Sequence, residues 1–143
     1  MTETPRHSVS VAAAIFDDSS QKVLLIKRRD NGKWEPPGGV LELDEAIEDG
    51  LRREVREETG AEIEVGPLTG VYKNMTLGIV ALVFRCKATT HSVTHTVEAA
   101  EVAWFPLSEL PLVMDEAYSV RVADAQSNEP AVRIHDGRWL LPR

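Results

Sequence analysis

Short runs of small, β-branched and aromatic residues alternate with polar turns along most of the chain. Runs of this kind, bounded by Gly, Pro, Asn, Asp or Ser, are typical of β-strands. They predict strands over residues 9–16, 23–26, 63–65, 71–75, 77–87 and 102–107. Gly66-Pro67 predicts a turn between the third and fourth runs, and residues 74–78 predict the loop of a long hairpin.

The segment after residue 46 shows the four-residue spacing of a helix instead. Ile47, Leu51 and Val55 define its apolar stripe, and Gly60 is placed to end the helix. Asp44 is a candidate N-cap. The face opposite the stripe carries the charged residues Glu48, Asp49, Arg52 and Arg56.

The C-terminal third predicts a second helix and a terminal hairpin. Tyr118, Val122 and Ala125 are spaced as an inward stripe of a helix over about residues 115–125. Residues 132–135 and 138–141 predict two short strands joined by a two-residue turn at Asp136-Gly137. The polar residues 89–100 predict a loop, in which His91 and His95 lack the helical pattern that a zinc site would need.

Three carboxylates near the end of the first helix do not lie on its solvent face. Glu54 and Glu58 project close to the direction of Ile47, and Glu57 projects to one flank of it. Like charges turned towards a protein are costly unless a cation lies among them. A set of carboxylate oxygens suits Mg²⁺ or Mn²⁺. The alternative is a solvated charge run that ends at Gly60.

The spacing of residues in this segment resembles the signature of the Nudix hydrolases. The matching positions are Gly39, Glu45, Arg53-Glu54-Val55, Glu57-Glu58 and Gly60. Two positions depart from the usual pattern: Ala61 stands where a larger aliphatic residue is common, and Asp44 stands where many members have Gly. The resemblance implies a Nudix fold of class α/β, an α/β/α sandwich with a mixed central sheet between the two helices.

The resemblance also implies a reaction and a set of metal ligands. The reaction is Mg²⁺-dependent hydrolysis, with Mn²⁺ as the other candidate ion, of a nucleoside diphosphate linked to another moiety. The implied ligands are the carboxylates of Glu54, Glu57, Glu58 and Glu98 and the carbonyl of Gly38 or Gly39. Glu54 is the preferred general base, and Glu98 or Glu101 is the alternative.

Four residues outside the carboxylate set are assigned other roles. Arg53 lies one turn before Glu57 and can fix the position of that carboxylate, which is an orienting role within the catalytic set. Arg28, at a strand end, is expected by resemblance to contact substrate phosphates. Trp34 can stack on a base or fill the core. Gly50, inside the helix, predicts the close approach of another backbone.

The substrate is left open between classes. A nucleoside triphosphate, as in MutT-type members, is the first choice, and ADP-ribose or another nucleotide sugar is the alternative. A non-catalytic module that senses nucleotides is a different class of function. Members of that kind typically lose the carboxylates that this chain retains, so an enzyme is favoured over a sensor.

Composition adds limits to this interpretation. A chain of 143 residues with 43% hydrophobic and 27% charged residues predicts one globular domain over residues 8–143, after a flexible tail over residues 1–7. The net charge of -7 disfavours a nucleic acid polymer or an anionic membrane as partner. The single cysteine, Cys86, and the absence of a long apolar segment indicate a cytoplasmic protein that is neither exported nor membrane-spanning. A homodimer is left open.

Overall fold

The computed structural model describes residues 3–90 and 101–142. Its strands are β1 (Ser8–Phe16), β2 (Lys22–Lys27), β3 (Trp34–Glu35), β4 (Gly38–Val40), β5 (Ile63–Asn74), β6 (Ile79–Ala88), β7 (Glu101–Pro106) and β8 (Ala131–His135). Its α-helices are α1 (Ile47–Thr59), α2 (Leu110–Val113) and α3 (Glu116–Asp124), and a 3₁₀ turn over Leu107–Glu109 precedes α2. No helix within these residues is long and apolar enough to cross a bilayer.

All eight strands belong to one mixed sheet, as the sequence predicted. Its main order is β3-β2-β1-β6-β5-β8. The central strand β1 pairs in parallel with β6 along its whole length and antiparallel with both β2 and β4. β7 adds to β2, so the predicted strand at residues 102–107 is confirmed.

The two faces of the sheet carry separate hydrophobic cores. Alternate residues of β1 point to opposite faces, as the two-residue period of a strand requires. Val11, Ala13 and Ile15 pack in the core that includes Leu51 and Val55 of α1. The other face of β1 packs in the core that includes α2 and α3, and its members are Ala12, Ala14 and Phe16. A sheet with helices on both faces confirms the predicted α/β/α sandwich.

The apolar stripe of α1 follows the prediction except at its first residue. Leu51 and Val55 are completely buried, whereas Ile47 lies in the first turn and is 42% exposed. Gly60 adopts the left-handed conformation and donates its N–H to the carbonyl of Arg56, so the predicted C-cap is confirmed. The helix is therefore anchored through its middle and final turns.

Two predictions about the start of α1 are wrong. The N-cap residue is Ala46, not Asp44, and no side-chain hydrogen bond caps this end. Gly50 is buried, but a Cβ atom there would meet the side chains of Leu41, at 2.5 Å, and Glu45, at 2.7 Å, rather than a second backbone. The missing side chain therefore makes room for Glu45 beside the helix.

The predicted turn at Gly66-Pro67 is wrong, because β5 runs through it as one strand. The pairing of β5 with β6 shifts register between Val65 and Leu68, so these residues form a bulge rather than a chain reversal. A Cβ atom on Gly66 would lie 2.5 Å from the carbonyl oxygen of Arg85, which explains the glycine. The hairpin from β5 to β6 itself is confirmed, with Gly78 at a positive φ in its loop.

The C-terminal segment enlarges the sheet instead of forming a separate hairpin. β8 pairs in parallel with β5, and the return arm is reduced to one bridge between His135 and Leu140. The predicted two-residue turn is wrong, because the carboxylate of Asp136 accepts the backbone N–H groups of Arg138 and Trp139 and stabilises a longer loop. The predicted loop over residues 89–100 falls mostly on residues 91–100, outside the described part of the chain.

Candidate active site in an acid-lined cleft

One cleft, with a volume of about 660 Å³, lies where β4 and the last turns of α1 meet the ends of several strands. Its lining comes from all the strands except β7, from α1 and α3, and from the residues that follow β2 and β3. The acidic end of the cleft is formed by α1 and β4. The opposite part carries arginine, tyrosine and histidine side chains.

Two of the three predicted carboxylates line this cleft. The side chain of Glu54 is 13% exposed, and the whole residue Glu58 is 5% exposed. The backbone N–H of Gly38 donates a hydrogen bond of 3.1 Å to Oε1 of Glu58, which fixes that carboxylate against β4. Both side chains therefore point towards the protein, as the helical pattern predicted.

The paired glycines of β4 bring the backbone close to these carboxylates. A Cβ atom on Gly39 would lie 2.5 Å from Oε2 of Glu54, so only glycine leaves this carboxylate in its place. A Cβ atom on Gly38 would collide with the backbone of Val11 and Ala12 in the neighbouring strand. Gly38 therefore serves the packing of the sheet, and Gly39 serves the position of Glu54.

Arg53 lies behind the acidic end and holds three carboxylates at once. It donates to both oxygens of Glu45, at 2.9 and 2.6 Å, to Glu54 at 3.0 Å and to Glu57 at 3.2 Å. The hydrogen bonds from Arg53 lower the pKa of Glu45 to about 2. The guanidinium thus contacts Glu57 as predicted. Its contact with Glu54 was not predicted, and Glu45 is the acid that anchors it.

The structure does not bring Glu57 into the cleft with the other two acids. Its side chain is 46% exposed and is turned along the helix towards Arg53, because residues four apart lie one above the other. Within residues 3–90 and 101–142, no group of three or more His, Cys, Asp or Glu side chains is arranged to hold a metal. The expectation that all three carboxylates face the protein is therefore wrong for Glu57.

The oxygen atoms at the acidic end fit a hard divalent cation. Glu54 and Glu58 supply carboxylates from one turn of α1, and Gly38 and Gly39 run alongside them in β4. Oxygen ligands of this kind suit Mg²⁺, which retains waters and binds through one or two carboxylates. Glu98 lies outside the described residues. Glu101 is at the start of β7, is 60% exposed and pairs with Lys27 at 3.7 Å.

Arg28 lies in the opposite part of the cleft. It pairs with Asp30 at 2.6 Å and with Glu35 at 3.7 Å, and its side chain is 41% exposed. The hydrogen bonds that Arg28 donates to the carboxylate of Asp30 raise the pKa of Arg28. Arg28 thus lines the same cleft as the acidic residues, with its charge partly satisfied by neighbouring acids.

Trp34 occupies the core instead of the cleft wall. Its ring meets that of Phe105 edge-on, with centroids 4.7 Å apart, and it packs against the core beneath α2 and α3. Of the two roles that the sequence left open, the structure shows core packing. The neighbouring residue Glu35 lines the cleft, since successive strand residues point to opposite sides.

The sequence analysis did not assign several polar residues of the cleft to the site, among them Glu35, Tyr118, Arg121 and His135. Burial raises the pKa of Glu35. Burial lowers the pKa of Arg121, which is only 6% exposed. One signal was available for Arg121, because it lies three residues after Tyr118 and therefore on the inward face of α3.

The sandwich and its acid-lined cleft are those of a hydrolase acting on phosphoanhydride bonds. The NUDIX domain profile matches residues 6–125, which is most of the chain. The chain therefore belongs to the Nudix hydrolase family.

Relatives of several kinds support this assignment. The chain is 51% identical over 142 residues to a MutT-like protein of Streptomyces ambofaciens, covering 99% of this chain and 92% of that protein. It is 33% identical to an ADP-ribose pyrophosphatase of Methanocaldococcus jannaschii, over 71% of this chain and 64% of the relative. It is 32% identical to a putative 8-oxo-dGTP diphosphatase of Bacillus subtilis, over 86% of this chain and 83% of the relative.

A solved structure shares the fold over nearly the whole chain. A NUDIX hydrolase from Nitrosomonas europaea superimposes with a TM-score of 0.76 at 26% identity, covering 92% of this chain and 79% of that one. The relatives thus agree on the chemistry of the family and differ in the substrates that their names give.

Proposed function

We propose that this protein is a Mg²⁺-dependent pyrophosphohydrolase whose substrate is a nucleoside triphosphate. The observation that carries the proposal is the pair of inward carboxylates, Glu54 and Glu58, at one end of a cleft that also contains Arg28. Likeness to a MutT-like protein and to a putative 8-oxo-dGTP diphosphatase supports the substrate class.

The residues of the acidic end would hold the divalent ion. Glu54 and Glu58, with a carbonyl of Gly38 or Gly39, are the proposed ligands that line the cleft. Glu57 at the rim and Glu98 complete the proposed ligand set. A bound Mg²⁺ would neutralise phosphate oxygens and make a coordinated water more acidic.

Residues of the chain hold the two carboxylates in position, and one of the carboxylates is the proposed proton acceptor. The hydrogen bond from Gly38 keeps Glu58 in one orientation, and Arg53 keeps Glu54 beside β4. Glu54 is the proposed general base, because its carboxylate lies between the glycine strand and the open cleft. Arg28 would hold substrate phosphates at the cost of weakening its contact with Asp30.

ADP-ribose or another nucleotide sugar is the second candidate substrate. It is favoured by the relative from Methanocaldococcus jannaschii, which is named as an ADP-ribose pyrophosphatase. The retained acids Glu54 and Glu58 weigh against the third candidate, a module that only senses nucleotides.

The test is a turnover screen of purified protein against nucleoside triphosphates, ADP-ribose and nucleotide sugars, with Mg²⁺ or Mn²⁺. Nucleoside triphosphates are expected to be hydrolysed to the monophosphate and pyrophosphate. Glu58→Gln is expected to lose this activity, because it removes a charged ligand but keeps the acceptor for the N–H of Gly38. Glu48→Gln is the matched control, because Glu48 lies on the exposed face of the same helix and pairs with Arg52 at 3.8 Å.

The outcomes separate the candidates. Turnover of ADP-ribose alone would replace the proposed substrate class with the second one. Binding of nucleotides without turnover of any of them would favour the sensor. Turnover that survives Glu58→Gln unchanged would remove Glu58 from the reaction.

A further inference from the structure

Arg121 is a buried cation at the floor of the cleft. Its guanidinium lies between the rings of Tyr72 and Tyr118, 5.0 and 4.7 Å from their centroids. Its Nε atom donates to the carbonyl of Ala117 at 3.2 Å, and its Nη2 atom is 3.3 Å from Nε2 of His135. The side chain is thus fixed in position by α3, β5 and β8 before any ligand binds.

This cation has no acidic partner in the part of the chain that the structure describes. Within the described residues, no ion pair involves Arg121, and its Nη1 atom forms no hydrogen bond. Every fully buried side-chain polar atom of the described residues has a hydrogen-bond partner. Because Nη1 has no such partner, it is not fully buried, and since Arg121 lines the cleft, Nη1 opens onto it. A desolvated charge is costly, and a ligand that accepts a hydrogen bond from Nη1 would offset part of that cost.

Glu35 provides an acceptor in the same part of the cleft. Its carboxylate is largely buried and pairs with Arg28 at 3.7 Å. Glu35 and Arg121 line the same cleft, and among the described residues they do not form an ion pair with each other. The two groups therefore present a donor and an acceptor to the cleft without closing on each other.

The chemistry of this pair selects among ligand groups. At Nη1 of the buried Arg121, where solvent screens little, a phosphate dianion would be repelled by the carboxylate of Glu35, whereas the side chain of Arg28 is 41% exposed and its surroundings are better screened. A neutral carbonyl next to an N–H group meets no such repulsion, because the carbonyl accepts from Arg121 and the N–H donates to Glu35. Guanine and thymine carry such a carbonyl edge, whereas adenine and cytosine carry an amino group in its place.

We propose that Arg121 and Glu35 select the base of the substrate and favour nucleotides whose base has a carbonyl beside a ring N–H: guanine, hypoxanthine, uracil and thymine. Adenine and cytosine nucleotides are disfavoured, because their amino group faces the donor Arg121 and their ring nitrogen faces the acceptor Glu35. This inference rests on the proposed function in that the substrate is a nucleoside phosphate. It names which bases that substrate carries.

The experiment measures binding and turnover separately. Binding of GMP, UMP, AMP and CMP, the monophosphates that the proposed reaction releases, is measured by calorimetry, and kcat/KM is measured for the four triphosphates. The wild type is expected to prefer the carbonyl bases by about tenfold to a hundredfold, the range for one hydrogen bond to a charged group. Arg121→Met, of similar length but without donors, is expected to bring the ratio close to one.

Controls separate base selection from other effects. Arg121→Lys keeps one charged donor and is expected to restore part of the preference. Arg85→Gln is expected to leave the ratio unchanged, because Arg85 donates to the carbonyl of Ala125 after α3 but lies outside this cleft. If Arg121→Met does not fold, Glu35→Leu removes the acceptor instead, with the same expected loss of preference.

Two results would overturn the inference. The first is equal binding of all four monophosphates by the wild type. The second is a uniform loss across all four in Arg121→Met, which would assign Arg121 to a phosphate. A lack of turnover on every triphosphate, combined with selective binding of GMP and UMP, would contradict the proposed function and leave the base subsite supported.

Discussion

The position of Gly39 against Glu54 leads to a prediction that separates activity from stability. In Gly39→Ala, the new Cβ would lie 2.5 Å from Oε2 of Glu54, whereas ordinary contact begins at 3.4 Å. The carboxylate must therefore retreat by about 1 Å. A displacement of that size at a reacting group can cost on the order of a hundredfold in rate. The obstructed atom ends a flexible side chain, so the fold should be retained.

Gly38→Ala is the matched comparison, because its Cβ meets backbone instead. It would lie 2.7 Å from Cα of Ala12, in the strand that pairs with β4. One of the two strands must move, at a cost of about 1–3 kcal/mol. For a domain of this size that cost lowers Tm by roughly 3–12 °C. Gly39→Ala should melt close to the wild type and lose kcat/KM.

Scanning fluorimetry and steady-state kinetics with Mg²⁺ on the best substrate measure both quantities. If Gly39→Ala retains wild-type kcat/KM, the position of Glu54 beside β4 is not required for the reaction. If it lowers Tm as far as Gly38→Ala does, the side chain of Glu54 does not yield, and the separation of roles between the two glycines fails.

Three further predictions concern residues around the cleft. Tyr72→Phe removes a buried hydrogen bond of 2.7 Å to Asp124 and should destabilise the protein by about 1–3 kcal/mol in urea titrations. Burial raises the pKa of Glu35, so the charge of its carboxylate opposes folding at neutral pH. Glu35→Gln should therefore have a higher Tm than the wild type at neutral pH. In thermal melts this difference should vanish as the pH falls below 4.5, the pKa of Glu35 in the unfolded chain. Arg53→Gln should lower kcat by about tenfold to a hundredfold with little change in KM, because Arg53 positions the proposed metal-binding carboxylates from behind the cleft. Arg52→Gln, on the exposed face of the helix, should change neither kcat nor KM.

The features that could be predicted from the sequence depend on local spacing. The stripe of α1 and the inward direction of Glu54 and Glu58 follow from helical geometry alone, because no distant residue alters where a helix points its side chains. The exposure of Glu57 does not follow in this way. It was expected to face the protein with the other two, but it lies on the flank of the stripe and turns along the helix to Arg53 instead.

The features that were missed depend on contacts between distant segments. Arg121 is buried only because Tyr72 of β5 and His135 of β8 meet it, and neither lies near it in the sequence. A single arginine on an inward helical face more often extends to solvent along its aliphatic stem. Its chemical role therefore became visible only once the three segments were placed together.

Two turns predicted from local composition were wrong, because strand pairing or a side-chain hydrogen bond determined the backbone there instead. Gly66-Pro67 has the composition of a turn, but β6 continues to pair on both sides of it, so a bulge replaces the reversal. Asp136-Gly137 has the composition of a two-residue hairpin turn. The side chain of Asp136 instead binds two later N–H groups, at 2.9 and 2.8 Å, and lengthens the loop.

The strand β8 has a consequence for how such a protein can diversify. It lies beyond the matched region at residues 6–125 and delivers His135 to the cleft, while Glu54 and Glu58 arrive from α1 within that region. The cleft is thus lined by residues from inside and from outside the matched region. Changes in the last segment of the gene can therefore alter the cleft wall at His135 while the segment that encodes Glu54 and Glu58 is inherited intact.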